Sequence, residues 1–399
     1  MRVSRTKVKF FPLRLVTGGA FNATGRKNAR NPFAAPVSTG DSSQTLVIGV
    51  ASTFTPTGVL FGSSSPPYLT ASQAINQSVT TPDSVVHGPL GAESLRISFG
   101  TEPANWAGAG EVNNVPTNFP FIWSFKAGNL AHVQTAAAGT PGDAFYDKWL
   151  VIFRDQLPDV PRYDSSGNPA FVKIACQHEP FGDAGITASG WAQLQVNLCK
   201  IVRAANLVRA NPIFVCGIMN GHTTAFNQFD SYYPQATLLT PYADVFRIGV
   251  DCYDYYTATG TNTATFKGIY QMVRAHDYAV SKGYGSQWDV PELGVIIGSN
   301  TQFRPSDTQA NQMCLDVEAQ LNVWPTTEQP GEIDWFNNGG QPWNGNDVEG
   351  GLQLTSSPVH TNTLGVALDT WSRLAHKQSF AGLVPSDTLV PSDTLVPAG

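Results

Sequence analysis

No run in this chain approaches the roughly 18 consecutive apolar residues of a membrane-spanning helix, so no membrane span is expected. The start MRVSRTKVKFFPLRLV is basic, but Pro12 and Arg14 interrupt the apolar stretch that a secretory signal needs, and no signal peptide is read there. Cysteine is scarce and unpatterned. Cys176, Cys199, Cys216, Cys252 and Cys314 are odd in number, widely spaced and mostly set in apolar segments such as VKIACQ and IFVCGI. This spacing argues against a disulfide framework or a cysteine metal cluster and predicts buried free thiols formed in a reducing compartment. HEPFG lacks the second histidine of a zinc HExxH helix, and neither G-x-S-x-G nor a P-loop occurs, so those three chemistries find no support. No cofactor and no metal is implied.

Charge is sparse and uneven. Arg2, Arg5, Lys7, Lys9, Arg14, Arg26, Lys27 and Arg30 place eight of the 24 basic residues before residue 31, leaving 16 to face 30 acidic ones in the remainder. An acidic body argues against nucleic acid as substrate and sets the basic arm apart as a separate device. What is abundant is apolar and loop-forming residues: 42% hydrophobic, with 37 glycines and 28 prolines, which suits one large core under long surface loops.

Three segments follow. Residues 1–40 form a basic arm rich in Asn, Gly and Pro; residues 41–380 alternate strand and helix patterns; residues 381–399 carry a tandem PSDTLV repeat expected to be an extended tail. Eight apolar, β-branched runs recur as TLVIGVAS, SLRISFG, FPFIWSF, FVKIACQ, PIFVCGIM, DVFRIGVDCY, WDVPELGVII and GEIDWFN. Their near-continuous hydrophobicity is what strands covered on both faces require. Between them, Phe145, Trp149, Ile152 and Phe153 share one helical face, and Trp191, Leu194, Leu198, Ile201 and Ala205 form a cleaner stripe. Ser306 with Gln309 reads as a capping box opening another helix. The pattern predicts an α/β fold, a (β/α)8 TIM barrel with an N-terminal arm and a short extended C-terminal tail. Residues 53–93, rich in Ser, Thr, Gly and Pro, read as an insertion outside the barrel repeat that overhangs the active site.

Barrel enzymes take their functional groups from the carboxyl ends of strands. The fourth run ends in ACQHEPFGD and offers His178 and Glu179; the seventh reads DVPELGV and offers Glu292. Strands four and seven face each other across a barrel, and two opposed carboxyls about 5–5.5 Å apart are what glycoside hydrolysis with retention requires, one protonated and one ionised. Asp251, Asp254 and Glu102 are rival carboxylates with structural or substrate-binding readings. Tyr253 stands among Tyr255 and Tyr256, each of which also reads as loop packing, and Trp335 also reads as a core residue.

With Glu179 after strand four and Glu292 after strand seven, the chain resembles the large barrel clan of retaining glycosidases. HEPFG, PELG and the IGVDCYD that ends strand six resemble glycoside hydrolase family 26, the β-mannanases, over most of residues 45–345. The resemblance implies Glu179 as acid/base and Glu292 as nucleophile. It implies that Tyr253 donates a hydrogen bond to Glu292, that His178 orders the same network, and that Trp335 stacks under the sugar. One position departs from the family's pattern: no tryptophan follows the HE pair in DAGITASG, and Trp343 in GGQPWNGND offers a ring from another loop. The expected activity is retaining hydrolysis of a β-linked polysaccharide or cell-surface glycan, with substrate bound by His178, Asp251, Tyr253, Trp335 and Trp343. The alternative is a non-catalytic glycan-binding or structural protein on the same barrel. The basic arm and repeat tail suggest a virion or extracellular setting, such as a bacteriophage tail, with the arm contacting neighbouring virion subunits or copies of the chain in a homo-oligomer.

Overall fold

β-Branched and aromatic runs fold here into strands that pair in parallel. A computed structural model describes residues 59–65, 82–83, 88–89, 94–99, 102–104, 121–157, 162–163, 169–256, 267–297, 307–336, 342–343, 347–349, 371 and 374. The chain divides into two units, Met1–Val50 and Ala51–Gly399, and every described residue belongs to the second. The basic arm and the repeat tail lie outside the described residues.

Eight parallel strands build one curled sheet: β1 Leu60–Ser65, β2 Leu95–Phe99, β3 Phe121–Phe125, β4 Val172–Cys176, β5 Ile213–Asn220, β6 Phe246–Tyr256, β7 Trp288–Ile297 and β8 Glu332–Phe336. Each pairs with the next, and β8 pairs with β1 through Leu60 beside Glu332 and Ser64 beside Phe336, so the pairings run full circle. A closed order leaves no unpaired edge among these strands. An antiparallel hairpin, Pro342–Trp343 with Asp347–Glu349, extends the sheet beyond the end of β7.

Seven of the eight strands fall on the expected runs. The first does not: β1 is LFGSSS, inside the stretch expected to be an insertion, and TLVIGVAS lies outside the described residues. Backbone pairing with β8 and β2 on both sides makes this segment a strand although it lacks the apolar run used to find the others.

Four longer helices are described: α1 Ala144–Val151, α2 Ala188–Asn206, α3 Gly268–Ser281 and α4 Asp307–Val323. Between β1 and β3 no helix lies among the described residues. The Thr187 hydroxyl caps α2 by accepting the Gly190 amide hydrogen at 3.0 Å, and its apolar stripe from Trp191 to Ala205 is buried. Phe145, Trp149, Ile152 and Phe153 are buried too, with the Trp149 ring stacked on Phe125 of β3 at 4.3 Å between centroids. The start of α4 at Asp307 is described, whereas Ser306 is not. All five cysteines are free and buried.

Charges at the amino ends of the strands meet inside the ring. Lys173 of β4 donates to Asp289 of β7 at 2.8 Å and to Glu332 of β8, and Arg247 of β6 holds Asp289 with two bonds of 2.7 and 2.9 Å. These two cations hold the Asp289 carboxyl below the usual carboxylate range against the opposing effect of burial. Two residues along β8, buried Asp334 faces Ser94 and has its pKa raised well above normal by burial and then by Glu332.

Candidate active site

At the other end of the strands, side-chain alternation gathers a second polar group. On β6 the inward positions are Arg247, Gly249, Asp251 and Tyr253, two residues apart as the pleat dictates. On β7 strict alternation from Asp289 would turn Glu292 outward. The register of β7 slips against β8 between Val290 and Leu293, and Pro291 occupies that irregularity, where its missing N–H breaks no ladder bond. Pro291 and Glu292 then both face inward, the proline ring 3.2 Å from where a Cβ on Gly249 would stand.

Glu292 is 7% exposed and satisfied on both oxygens, Oε1 by the Arg96 guanidinium and Oε2 by the Tyr253 hydroxyl. Gly294, two residues on, is required here: a Cβ would stand 2.9 Å from Cε1 of the Tyr253 ring. Arg96, fully buried on β2, also approaches Asp251 Oδ1 at 3.5 Å and Ser124 Oγ at 3.4 Å. Burial alone would pull its pKa down, but Glu292 and Asp251 reverse that, so Arg96 remains a cation.

Glu179 arrives differently, on the turn after β4. Gln177 and Glu179 both hold left-handed backbone, φ 57° and 48°, a strained choice for residues with a Cβ. The surroundings hold the turn in place. The Trp191 indole N–H donates to the Gln177 carbonyl at 2.8 Å, Lys126 Nζ to the His178 carbonyl at 2.7 Å, and the Glu179 amide to the Ile218 carbonyl at 2.9 Å. Lys126 also pairs with Asp183 at 3.3 Å, which in turn accepts from Gln177 Nε2 at 2.9 Å. Asn220, the last residue of β5, donates to Glu179 Oε1 at 2.9 Å.

The result is a set of three carboxyls, Glu179, Asp251 and Glu292, each offering an oxygen within 4.8 Å of the others. Burial and the nearby Glu292 charge raise the Glu179 pKa to about 7. The Asp251 pKa is raised well above normal by burial first and Glu292 second, with Arg96 opposing the shift. A set of three carboxylates has the donor chemistry of a cation site, but Arg96 already supplies positive charge to two of them. The arrangement places a carboxyl of raised pKa beside a second carboxyl held by two donors, an asymmetry that suits a division between acid–base and nucleophilic work.

The other expected residues divide. His178 is half-buried, its Nδ1 3.3 Å from Ser124 Oγ, and burial with Lys126 and Arg96 nearby keeps it neutral. It reaches Glu292 only through Ser124 and then Arg96, a chain of three hydrogen bonds. Trp335 requires a correction. It is fully buried and meets Trp371 edge-on at 5.5 Å, because on β8 Glu332 and Asp334 face inward and Trp335 therefore faces out. Its neighbour Phe336 lies on the inner side, edge-on to Tyr253 at 6.2 Å. The Trp343 backbone belongs to the hairpin beyond β7, and its side chain lies outside the described residues. Glu102 binds Lys148, Trp149 and the Gly128 amide, and Asp254 accepts the Gly268 amide hydrogen at 2.6 Å, so both are structural. Arg96, Ser124, Lys126, Asn220 and Phe336 were not singled out from sequence. A lone arginine within SLRISF, a run that burial on both faces should keep apolar, is a signal that would have found one of them.

No protein-family model and no curated protein matches the sequence. Among solved structures, the chain is similar to the family 1 β-glucosidase of Thermotoga maritima at 9% identity, covering 81% of this chain and 98% of that one, with a TM-score of 0.50. It also matches the catalytic domain of the GH26 endo-β-1,4-mannanase of Bacillus sp. JAMB-750 at 15% identity, 79% and 86% coverage and TM-score 0.44. A third match is GH26C of Muricauda sp. MAR_2010_75 at 11% identity, 70% and 79% coverage and TM-score 0.42. The likeness to the first is one of fold, and the three matches are not specific to family 26.

Proposed function

We propose that this chain is a retaining glycoside hydrolase acting on a β-linked polysaccharide, built on a (β/α)8 barrel. The observation that carries the reading is the pair Glu179 and Glu292, with carboxyl oxygens within 4.8 Å of each other and opposite environments. So close an approach of single oxygens favours the retaining geometry, with carboxyls about 5–5.5 Å apart, over the roughly 6.5–9.5 Å that leaves room for an inverting water.

In the first step the Glu179 proton passes to the glycosidic oxygen as its bond to the anomeric carbon breaks, and a Glu292 oxygen bonds to that carbon. In the second, Glu179, now ionised, takes a proton from water. The water oxygen bonds to the same carbon, and Glu292 leaves as carboxylate. Tyr253 and Arg96 would hold Glu292 in line until it attacks. The phage-tail setting, with residues 1–40 as an attachment arm, rests on sequence alone; removal of residues 1–30 should weaken virion or oligomer association and leave barrel unfolding unchanged.

The test is azide rescue on an activated aryl glycoside, after reducing-sugar release from a polysaccharide panel has identified the sugar. Glu179→Ala with azide should yield the glycosyl azide of retained configuration, and Glu292→Ala the inverted one. Identical products from both variants would remove these roles. A panel with no hydrolysis but measurable glycan binding would favour the non-catalytic barrel.

A further inference from the structure

We propose that Asn220 sorts the two oxygens of Glu179, committing Oε1 to accept a hydrogen bond and leaving Oε2 as the oxygen that gives and takes the catalytic proton. The inference rests on the hydrolase reading above and assigns Asn220 a positioning role within it.

The amide of Asn220 has its orientation set from behind. Its Oδ1 accepts the backbone N–H of His222 at 2.8 Å, which turns Nδ2 toward Glu179 Oε1 at 2.9 Å. An amide NH2 only donates, so Oε1 must act as an acceptor in both protonation states. In the protonated carboxyl, the oxygen that accepts is the carbonyl-type one, and the hydrogen is left on Oε2. In the carboxylate, the same bond keeps Oε2 free to receive a proton from water. One hydrogen bond therefore serves both steps without rearrangement.

The backbone reinforces the assignment. The Glu179 amide donates to the Ile218 carbonyl at 2.9 Å, two residues before Asn220 on β5, so main chain and carboxyl are tied to one strand end. Among the described residues no other side chain hydrogen-bonds this carboxyl, so without Asn220 rotation about its terminal torsion, which is soft, would interchange the two oxygens. The groups facing Glu179 are Asn220, Glu292, Arg96 and Lys126, with Asp251 in the same carboxyl set. Of these, Asn220 is the one that hydrogen-bonds its side chain, and that bond favours the ionised form against burial and Glu292.

The experiment is carbon-13 NMR titration of carboxyl-labelled glutamate in the full chain, with the Glu179 signal identified by its loss in Glu179→Gln. Asn220→Ala should move the Glu179 midpoint above its wild-type position. Asn220→Asp keeps an acceptor for His222, and so preserves the turn, while setting a carboxylate against Oε1; it should move the midpoint further up. On an unactivated glycoside, kcat should fall on the order of 10- to 100-fold in Asn220→Ala with KM unchanged, while the burst of aryl release from an activated glycoside keeps its wild-type rate. A midpoint unmoved or lowered in both variants overturns the proposal, as does an equal loss on both substrates. If the wild-type chain hydrolyses neither substrate, the hydrolase reading fails and the role of Oε2 fails with it. The titration still reports separately whether Asn220 holds Glu179.

Discussion

The hydroxyl of Tyr253 donates to Glu292 Oε2 while its ring lies against Gly294, so two positions on β7 fix both ends of one side chain. Tyr253→Phe removes a donor to a charged acceptor, an interaction of about 1.5–3 kcal/mol, and should lower kcat/KM on the order of 10- to 100-fold. Gly294→Ala should act in the same direction with the tyrosine intact, because the new methyl displaces the ring. The two changes meet in one contact, so their effects should be less than additive in the double variant. Additive losses in kcat/KM would show that Gly294 serves something other than Tyr253.

Glu179 owes its raised pKa, about 7, to burial first and to the Glu292 charge second. Above that value it is ionised and cannot protonate a leaving group, so kcat/KM on an unactivated substrate should fall tenfold for each further pH unit. Glu292→Gln removes the like charge and leaves the burial. The Glu179 midpoint should then drop below its wild-type position without returning to the ordinary 4.5, as read by carboxyl NMR. An unchanged midpoint would mean that the two carboxyls do not interact.

Most of this architecture can be read from the chain because strands buried on both faces are near-continuous apolar runs, and seven such runs became β2 to β8. LFGSSS has no such run and was passed over for TLVIGVAS, since pairing through backbone on both sides leaves no mark in composition. The two glutamates that the structure brings together stand in the short patterns HEPFG and PELG, which is why they could be picked out as candidates. The site was not legible where it depends on which face a residue takes. Trp335 and Phe336 differ by one step on β8, and that step separates a core ring beside Trp371 from a ring beside Tyr253. The inward turn of Glu292 similarly depends on the slip at Pro291, which no pattern of alternation predicts.

At the amino ends of the strands, Lys173 is the cation that Glu332 shares with Asp289, whereas Arg247 donates to Asp289 and to the Ser286 and Trp288 carbonyls. Lys173→Met should therefore destabilise the fold by about 3–5 kcal/mol, because it leaves a buried carboxylate uncompensated. Urea unfolding would measure this. Specific activity per folded molecule should be retained, since the change lies at the opposite end of the strands from Glu179 and Glu292. A loss below about 1 kcal/mol would show that Glu332 does not depend on this cation.

The same burial that tunes Glu179 should be measurable as stability withheld from the fold. Its folded pKa stands near 7 against 4.5 for the free group, so between those values the folded state binds more protons than the unfolded state does. Stability therefore falls as pH rises through this window. The contribution is fully present below about 4.5 and lost above about 7. The shift corresponds to about 3 kcal/mol at most, since Glu179 is partly exposed and solvent screens part of it. Glu179→Gln has the same shape and cannot ionise. Its stability relative to wild type should be near zero at pH 4.5, rise through pH 6 and level off above pH 7, as followed by urea unfolding at each pH. A difference that stays flat across this range would show that Glu179 ionises in the folded protein as easily as in water. It could not then hold the proton that the proposed first step would deliver.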